Sequence, residues 1–279
     1  MKILVTGANG MLGQDLCPIL EDVGAFVIET DIDTLDLTDS EAVTQVVNDI
    51  RPDMVVHCAA YTNVDMAEEE PEKAELINAF GTENIAKICG KLGITLIYIS
   101  TDYVFDGTKT SPYTANDKTC PLGVYGRTKL QGEDAVRKYC EKYYIARTSW
   151  LYGHHGRNFV ETMISLAQKG GELKVVDDQI GCPTWTVELA NGILKLLSKP
   201  FGIYHVCGSG ETSWYGFAKE IFEQYNALSS SSLGAGLKPC TTDEFPRPAK
   251  RPAYSVMDNQ KLCRNWQAAL HDYLELRNM

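Results

Sequence analysis

The chain has 279 residues, 44% of them hydrophobic and 23% charged, enough apolar material for one large or two closely joined domains and too much for a disordered or fibrous architecture. Its 26 Lys plus Arg against 37 Asp plus Glu leave a formal net charge of −11. Capture of nucleic acid or an anionic membrane through a global field is therefore excluded, and an anionic ligand needs local donors such as a helix N-terminus. No run nears the roughly 18 consecutive apolar residues of a spanning helix. The opening MKILVTGANG places a glycine turn directly after a short apolar run, unlike a secretory signal. Nine scattered cysteines without a close C-x-x-C pair fit reduced thiols, so the expected setting is the cytoplasm.

In chain order, short β-branched runs alternate with segments of helical period. Strands are expected at 2–6, 25–30, 54–58, 96–100 and 144–147, and helices at 11–20, 40–50, 72–92 and 125–141. That alternation predicts an α/β fold, a Rossmann-type doubly wound parallel sheet with right-handed crossovers. After Trp150 the rhythm changes: a helix at 159–168, a Gly170-Gly171 break, a strand at 173–176, Gly181 and Pro183, then a helix at 187–197. We expect residues 1–150 to bind a dinucleotide and 151–279 to form mainly a smaller cap, with 202–208 returning to the core sheet. Residues 229–236 read as a flexible loop, and Pro246, Pro248 and Pro252 punctuate the segment C-terminal to it.

The segment TGANGMLG carries Gly7, Gly10 and Gly13 between the first strand and the first helix. Out of context it would be a plain turn; in this context glycines let the backbone approach a pyrophosphate while free N–H groups at the helix start supply donors. Asp31 ends the second strand at the spacing of about 20 residues used for a ribose-binding carboxylate. A carboxylate accepts from a 2′-hydroxyl and repels a 2′-phosphate, which leans towards NADH over NADPH. Asp33, Asp36 and Asp39 come next, some of them a solvated connection; Asp36 is expected beside the adenine.

Tyr125 and Lys129 form Y-x-x-x-K, a spacing that puts both on one helical face. A phenol titrates near 10, and the lysine cation is expected to favour its phenolate. Ser100-Thr101-Asp102 ends a strand, where open parallel sheets line their ligand crevice. Thr101 can bind a carbonyl while Tyr125 protonates it; the alternative is that Thr101 and Asp102 only cap the chain leaving the strand.

These motifs, with HCAAYTNVD at 57–65, ISTDYVFDG at 99–107, PLGVYGRTKLQGE at 121–133, RTSWLYG at 147–153, VVDDQIGCPTW at 175–185 and RPAYSVMDN at 251–259, resemble the extended short-chain dehydrogenase/reductases. More narrowly, they resemble the dTDP-4-dehydrorhamnose reductase family over nearly the whole chain. The resemblance implies a catalytic set of Thr101, Tyr125 and Lys129. It implies cofactor contacts from Gly10, Met11, Leu12, Asp31, Asp36, Ala59, Ala60, Tyr61, Tyr125 and Lys129, and substrate contacts from Thr101, Asp102, Val104, Phe105 and Trp150. Gln179, Pro183 and Arg251 are further substrate candidates, Arg251 as a donor to the diphosphate; packing for Trp150 and a solvated surface for Arg251 are the alternatives.

The implied reaction is hydride transfer from NADH or NADPH to C4 of dTDP-4-dehydro-L-rhamnose. Relatives also bind Mg2+ at a homodimer contact, but the corresponding places here hold Asp15, Glu188 and Gln267, and the last lacks a carboxylate, so no metal site is expected. The alternatives are another nucleotide-sugar reductase, an epimerase or dehydratase, which would retain an oxidised cofactor on purification, and a regulatory subunit resembling the methionine adenosyltransferase beta subunit.

Overall fold

The computed structural model describes residues 1–229 and 233–277. Its first half contains strands β1 (Lys2–Thr6), β2 (Phe26–Thr30), β3 (Met54–His57), β4 (Thr95–Thr101) and β5 (Tyr143–Thr148). Between them lie helices α1 (Met11–Asp22), α2 (Ser40–Ile50), α3 (Val64–Glu69), α4 (Pro71–Glu75), α5 (Thr82–Leu92) and α6 (Val124–Tyr139). The continuous helix expected at 72–92 is divided, because a π-helical turn at Leu76–Gly81 separates α4 from α5. A hydrophobic period of 3.6 does not register one widened turn.

The later elements are β6 (Leu151–Tyr152), α7 (Phe159–Gln168), β7 (Glu172–Val176), β8 (Ile180–Gly181), β9 (Thr184–Trp185), α8 (Thr186–Leu196) and β10 (Gly202–His205). They are succeeded by β11 (Thr212–Ser213), α9 (Trp214–Leu228), β12 (Gly236–Cys240) and α10 (Trp266–Arg277). Of the stretch 229–236 expected to be a loop, Ser230 to Ser232 lie outside the described residues, and Gly236 already opens β12, which pairs in parallel with β7. A strand containing Pro239 does not announce itself by composition.

Six parallel strands form the main sheet in the order β10-β5-β4-β3-β1-β2. Alternation along each strand divides the core. Ile3, Val5, Val56 and Ile97 face α1 and α8 on one side, whereas Leu4, Val55, Leu96 and Ile145 face α2, α5 and α6 on the other. β10 adds the sixth strand by pairing with β5 from Gly202–Tyr144 to His205–Arg147. The remaining later elements enclose a second core of Tyr152, Ile164, Trp185, Phe217, Leu270 and Tyr273. Among the described residues no helix is long and apolar enough to cross a membrane.

Candidate active site

The C-terminal ends of β1, β3, β4 and β5 open into a cleft of about 730 Å³, the place where open parallel sheets bind ligands. Gly7 turns the chain out of β1 with φ +70, and a Cβ there would lie 2.6 Å from the Ala59 backbone nitrogen, so only glycine lets the loop lie against the end of β3. Gly10 precedes α1 without a side-chain cap, and the first turn of α1 carries no acidic residue. Its N–H groups are thus left for an anion. Asp31 is fixed beside this cradle: Oδ2 accepts from the Asn9 N–H at 2.9 Å and Oδ1 from the Ile32 N–H at 2.8 Å. Asp36 is held by the Thr38 N–H and hydroxyl at 2.9 and 2.7 Å. Gly10, Met11, Leu12, Gly13, Ala59 and Ala60 also line the cleft. Backbone donors, close glycine packing and a ribose-side carboxylate fit a dinucleotide.

The opposite end is built by β4 and α6. A Cβ on Gly126 would sit 2.1 Å from the Tyr103 carbonyl oxygen, so glycine lets α6 press against the turn after β4. Thr101, Tyr125 and Lys129 consequently share one cleft wall. Thr101 Oγ1 donates to Asp102 Oδ1 at 3.1 Å and accepts from the Tyr103 N–H at 3.2 Å. Burial pushes the Tyr125 phenol up to about 12, with the Asp102 charge adding and a Thr101 hydrogen bond opposing. Burial lowers Lys129 to about 7, against the pull of Glu133 and Cys58, and its Nζ lies 4.2 Å from the centroid of the Tyr98 ring. Desolvation is the largest influence on the phenol, and the Lys129 ammonium expected to favour its phenolate is itself pushed down towards neutrality by burial. Burial also raises Asp102 to about 6.

Behind these groups, buried Glu133 receives Arg147 Nε at 2.8 Å, Arg147 Nη2 at 2.7 Å and Ser100 Oγ at 2.6 Å. This fork joins α6, β5 and β4 one turn beyond Lys129. A second clamp starts at Asn78 in the π-helical turn, whose amide pairs with both backbone groups of Tyr61 at 2.8 and 3.1 Å and with Thr128 at 3.1 Å. Sequence reasoning missed both clamps. The i, i+4 spacing of Lys129 and Glu133 was a legible signal for the first; none marked Asn78.

Several expected contacts lie elsewhere. The Tyr61 phenol donates to Glu70 at 2.7 Å, and the residue is not in the cleft wall. Val104 and Phe105 are fully buried in an apolar cluster, Phe105 stacked on Tyr113 at 4.2 Å, because the turn after β4 points them inward. Gln179 is buried and donates to Thr242 at 3.0 Å, while the Pro183 carbonyl packs against Gly208. Arg251 is bound bidentately by Asp65 at 2.7 and 2.9 Å, which neutralises it outside the cleft wall. Trp150 does line the cleft. It adopts φ +46 and stacks on Trp214 at 3.6 Å. Tyr103, Thr148, Ser149 and Arg157 line it too; the first three fall within the ISTDYVFDG and RTSWLYG segments without being singled out there, and Arg157 lies in none of the quoted motifs.

The magnesium set does not fit a cation. Asp15 accepts from the Thr186 hydroxyl and meets His155 at 3.3 Å. Both Glu188 oxygens are taken by Arg264, from Nε at 2.8 Å and from its backbone N–H at 3.1 Å.

The RmlD substrate binding domain family matches residues 1–277. The spore coat polysaccharide biosynthesis protein SpsK of Bacillus subtilis is 43% identical, with 99% of this chain and 98% of that protein covered. The dTDP-4-dehydrorhamnose reductase of Escherichia coli is 41% identical over 98% of this chain and 94% of its own length. The crystal structure of a Bacillus anthracis dTDP-4-dehydrorhamnose reductase in complex with NADP superposes with a TM-score of 0.92, at 40% identity and 98% coverage of each chain. With a nucleotide cradle and a Thr-Tyr-Lys set in one cleft, and with these full-length matches, the chain belongs to the dTDP-4-dehydrorhamnose reductase family of nicotinamide-dependent oxidoreductases.

Proposed function

We propose that the protein reduces the C4 keto group of dTDP-4-dehydro-L-rhamnose to give dTDP-L-rhamnose, using NADH or NADPH. The observation that carries this reading is the meeting of Thr101, Tyr125 and Lys129 with the glycine cradle in a single cleft. Residues 1–150 hold the dinucleotide, and 151–279 contribute mainly to the sugar nucleotide. A bound reduced nicotinamide supplies the hydride. Thr101 orients the carbonyl oxygen, and Tyr125 donates its proton as negative charge develops there. A phenol held near 12 stays protonated at neutral pH, yet remains far more acidic than an alkoxide's conjugate alcohol, so the transfer runs downhill. Lys129 holds a ribose hydroxyl and keeps Tyr125 in register one helical turn away. Asp102, Tyr103 and Trp150 shape the sugar side of the cleft. Asp31 disfavours a 2′-phosphate by charge repulsion, which sets NADH above NADPH.

The test is NADH and NADPH oxidation by purified protein with dTDP-4-dehydro-L-rhamnose, the product identified by mass spectrometry. A gain of two hydrogens is expected. Cofactor binding without turnover would move the assignment to another keto sugar or a regulatory subunit, and an oxidised cofactor retained through purification would point to an epimerase.

A further inference from the structure

We propose that Arg157, on the loop between β6 and α7, binds the diphosphate of the dinucleotide at the glycine cradle; this rests on the protein's being a nicotinamide-dinucleotide enzyme. The loop is pinned to α1. A Cβ on Gly153 would lie 2.4 Å from Thr186 Oγ1 and 3.1 Å from Met11 Cγ, and His155 Nε2 lies 3.3 Å from Asp15 Oδ1. Its far end is locked by Asn158, whose amide donates to the Gly153 carbonyl at 2.7 Å and whose Oδ1 accepts from the Glu161 N–H at 3.1 Å to cap α7. Arg157 projects from this fixed loop, lines the same cleft as Gly10, Met11 and Leu12, and has no ion pair or hydrogen bond among the described residues.

Charge gives that position its meaning. Arg157 and Lys129 are the two basic residues among the described cleft walls, against Asp31, Asp36 and Asp102. Lys129 is buried at the catalytic end. A dianionic diphosphate entering a chain of net charge −11 meets about half a positive charge from a helix N-terminus, and a guanidinium supplies the remainder with a planar fork matched to phosphate oxygens. The sugar nucleotide also carries a diphosphate, but the loop that bears Arg157 is anchored through Gly153 and His155 to Met11 and Asp15 of α1, the helix that the glycine loop opens, which assigns it to the dinucleotide.

Titration of the full chain with NADH, NADPH and dTDP, monitored by calorimetry and by NADH fluorescence, tests this directly. Arg157→Ala is expected to weaken NADH and NADPH alike by about fivefold, the upper range for an exposed ion pair. It should flatten the salt dependence of binding and leave dTDP affinity and Tm unchanged, while Arg157→Lys recovers part of the loss. Unchanged NADH affinity overturns the proposal, as does a loss confined to dTDP, which would place the guanidinium on the sugar nucleotide. A wild-type chain that binds neither NADH nor NADPH would sink the dinucleotide reading and this proposal with it.

Discussion

The two ends of the cleft are built on opposite physical terms. At the adenosine end, Asp31 and Asp36 are carboxylates near solvent, each satisfied by backbone N–H groups of its own turn or of the glycine loop. At the catalytic end, burial is the first cause of every displaced titration, upward for Tyr125 and Asp102 and downward for Lys129. In the proposed reading the first end selects a ligand through screened charge that the fold hardly depends on. The second displaces the proton affinities of its groups by burial, and it needs a buried scaffold to do so.

The largest expected effect lies at the buried end. Tyr125→Phe should lower kcat by about 100- to 10,000-fold, the range for losing a positioned proton donor, with NADH affinity unchanged by titration. Turnover at the wild-type rate would remove Tyr125 from the chemistry. Next comes the scaffold. Glu133→Ala leaves Arg147 buried without its partner, and a loss of about 3–5 kcal/mol is expected in urea denaturation; a loss below about 1 kcal/mol would show that water already reaches the pair.

At the adenosine end the effect should be smaller and confined to choice. Asp31→Ala is expected to raise the NADPH-to-NADH ratio of kcat/KM by about fivefold, the scale of an exposed charge interaction, at unchanged Tm. An unaltered ratio would mean that the carboxylate serves only the Asn9 and Ile32 amides.

A further effect is a change of slope with pH. Because Asp102 titrates near 6 in the folded chain and near 3.8 when unfolded, the folded state binds more protons between those values. Stability is therefore highest below about pH 4 from this group and is lost as pH rises through about 6. Asp102→Asn should flatten that decline and be the more stable form at neutral pH, as measured by denaturation from pH 4 to 7. Parallel curves for the two proteins would contradict the burial of the charge.

Sequence by itself determined the parallel sheet, since strands buried on both faces, such as Ile3 to Val5, must be apolar runs between helical periods. It also located Gly7, Asp31, Thr101, Tyr125 and Lys129, because a glycine-only turn, a strand-end acid and an i, i+4 pair are local patterns. Only tertiary structure decided that Val104 and Phe105 turn into the core, that Asp65 claims Arg251, and that Arg147 reaches Glu133. It also brought Arg157 into the wall of the cleft that the glycine loop lines. Those outcomes depend on partners far apart in the chain, and on burial, which displaces a proton equilibrium according to what surrounds a group in space and not to its neighbours in sequence.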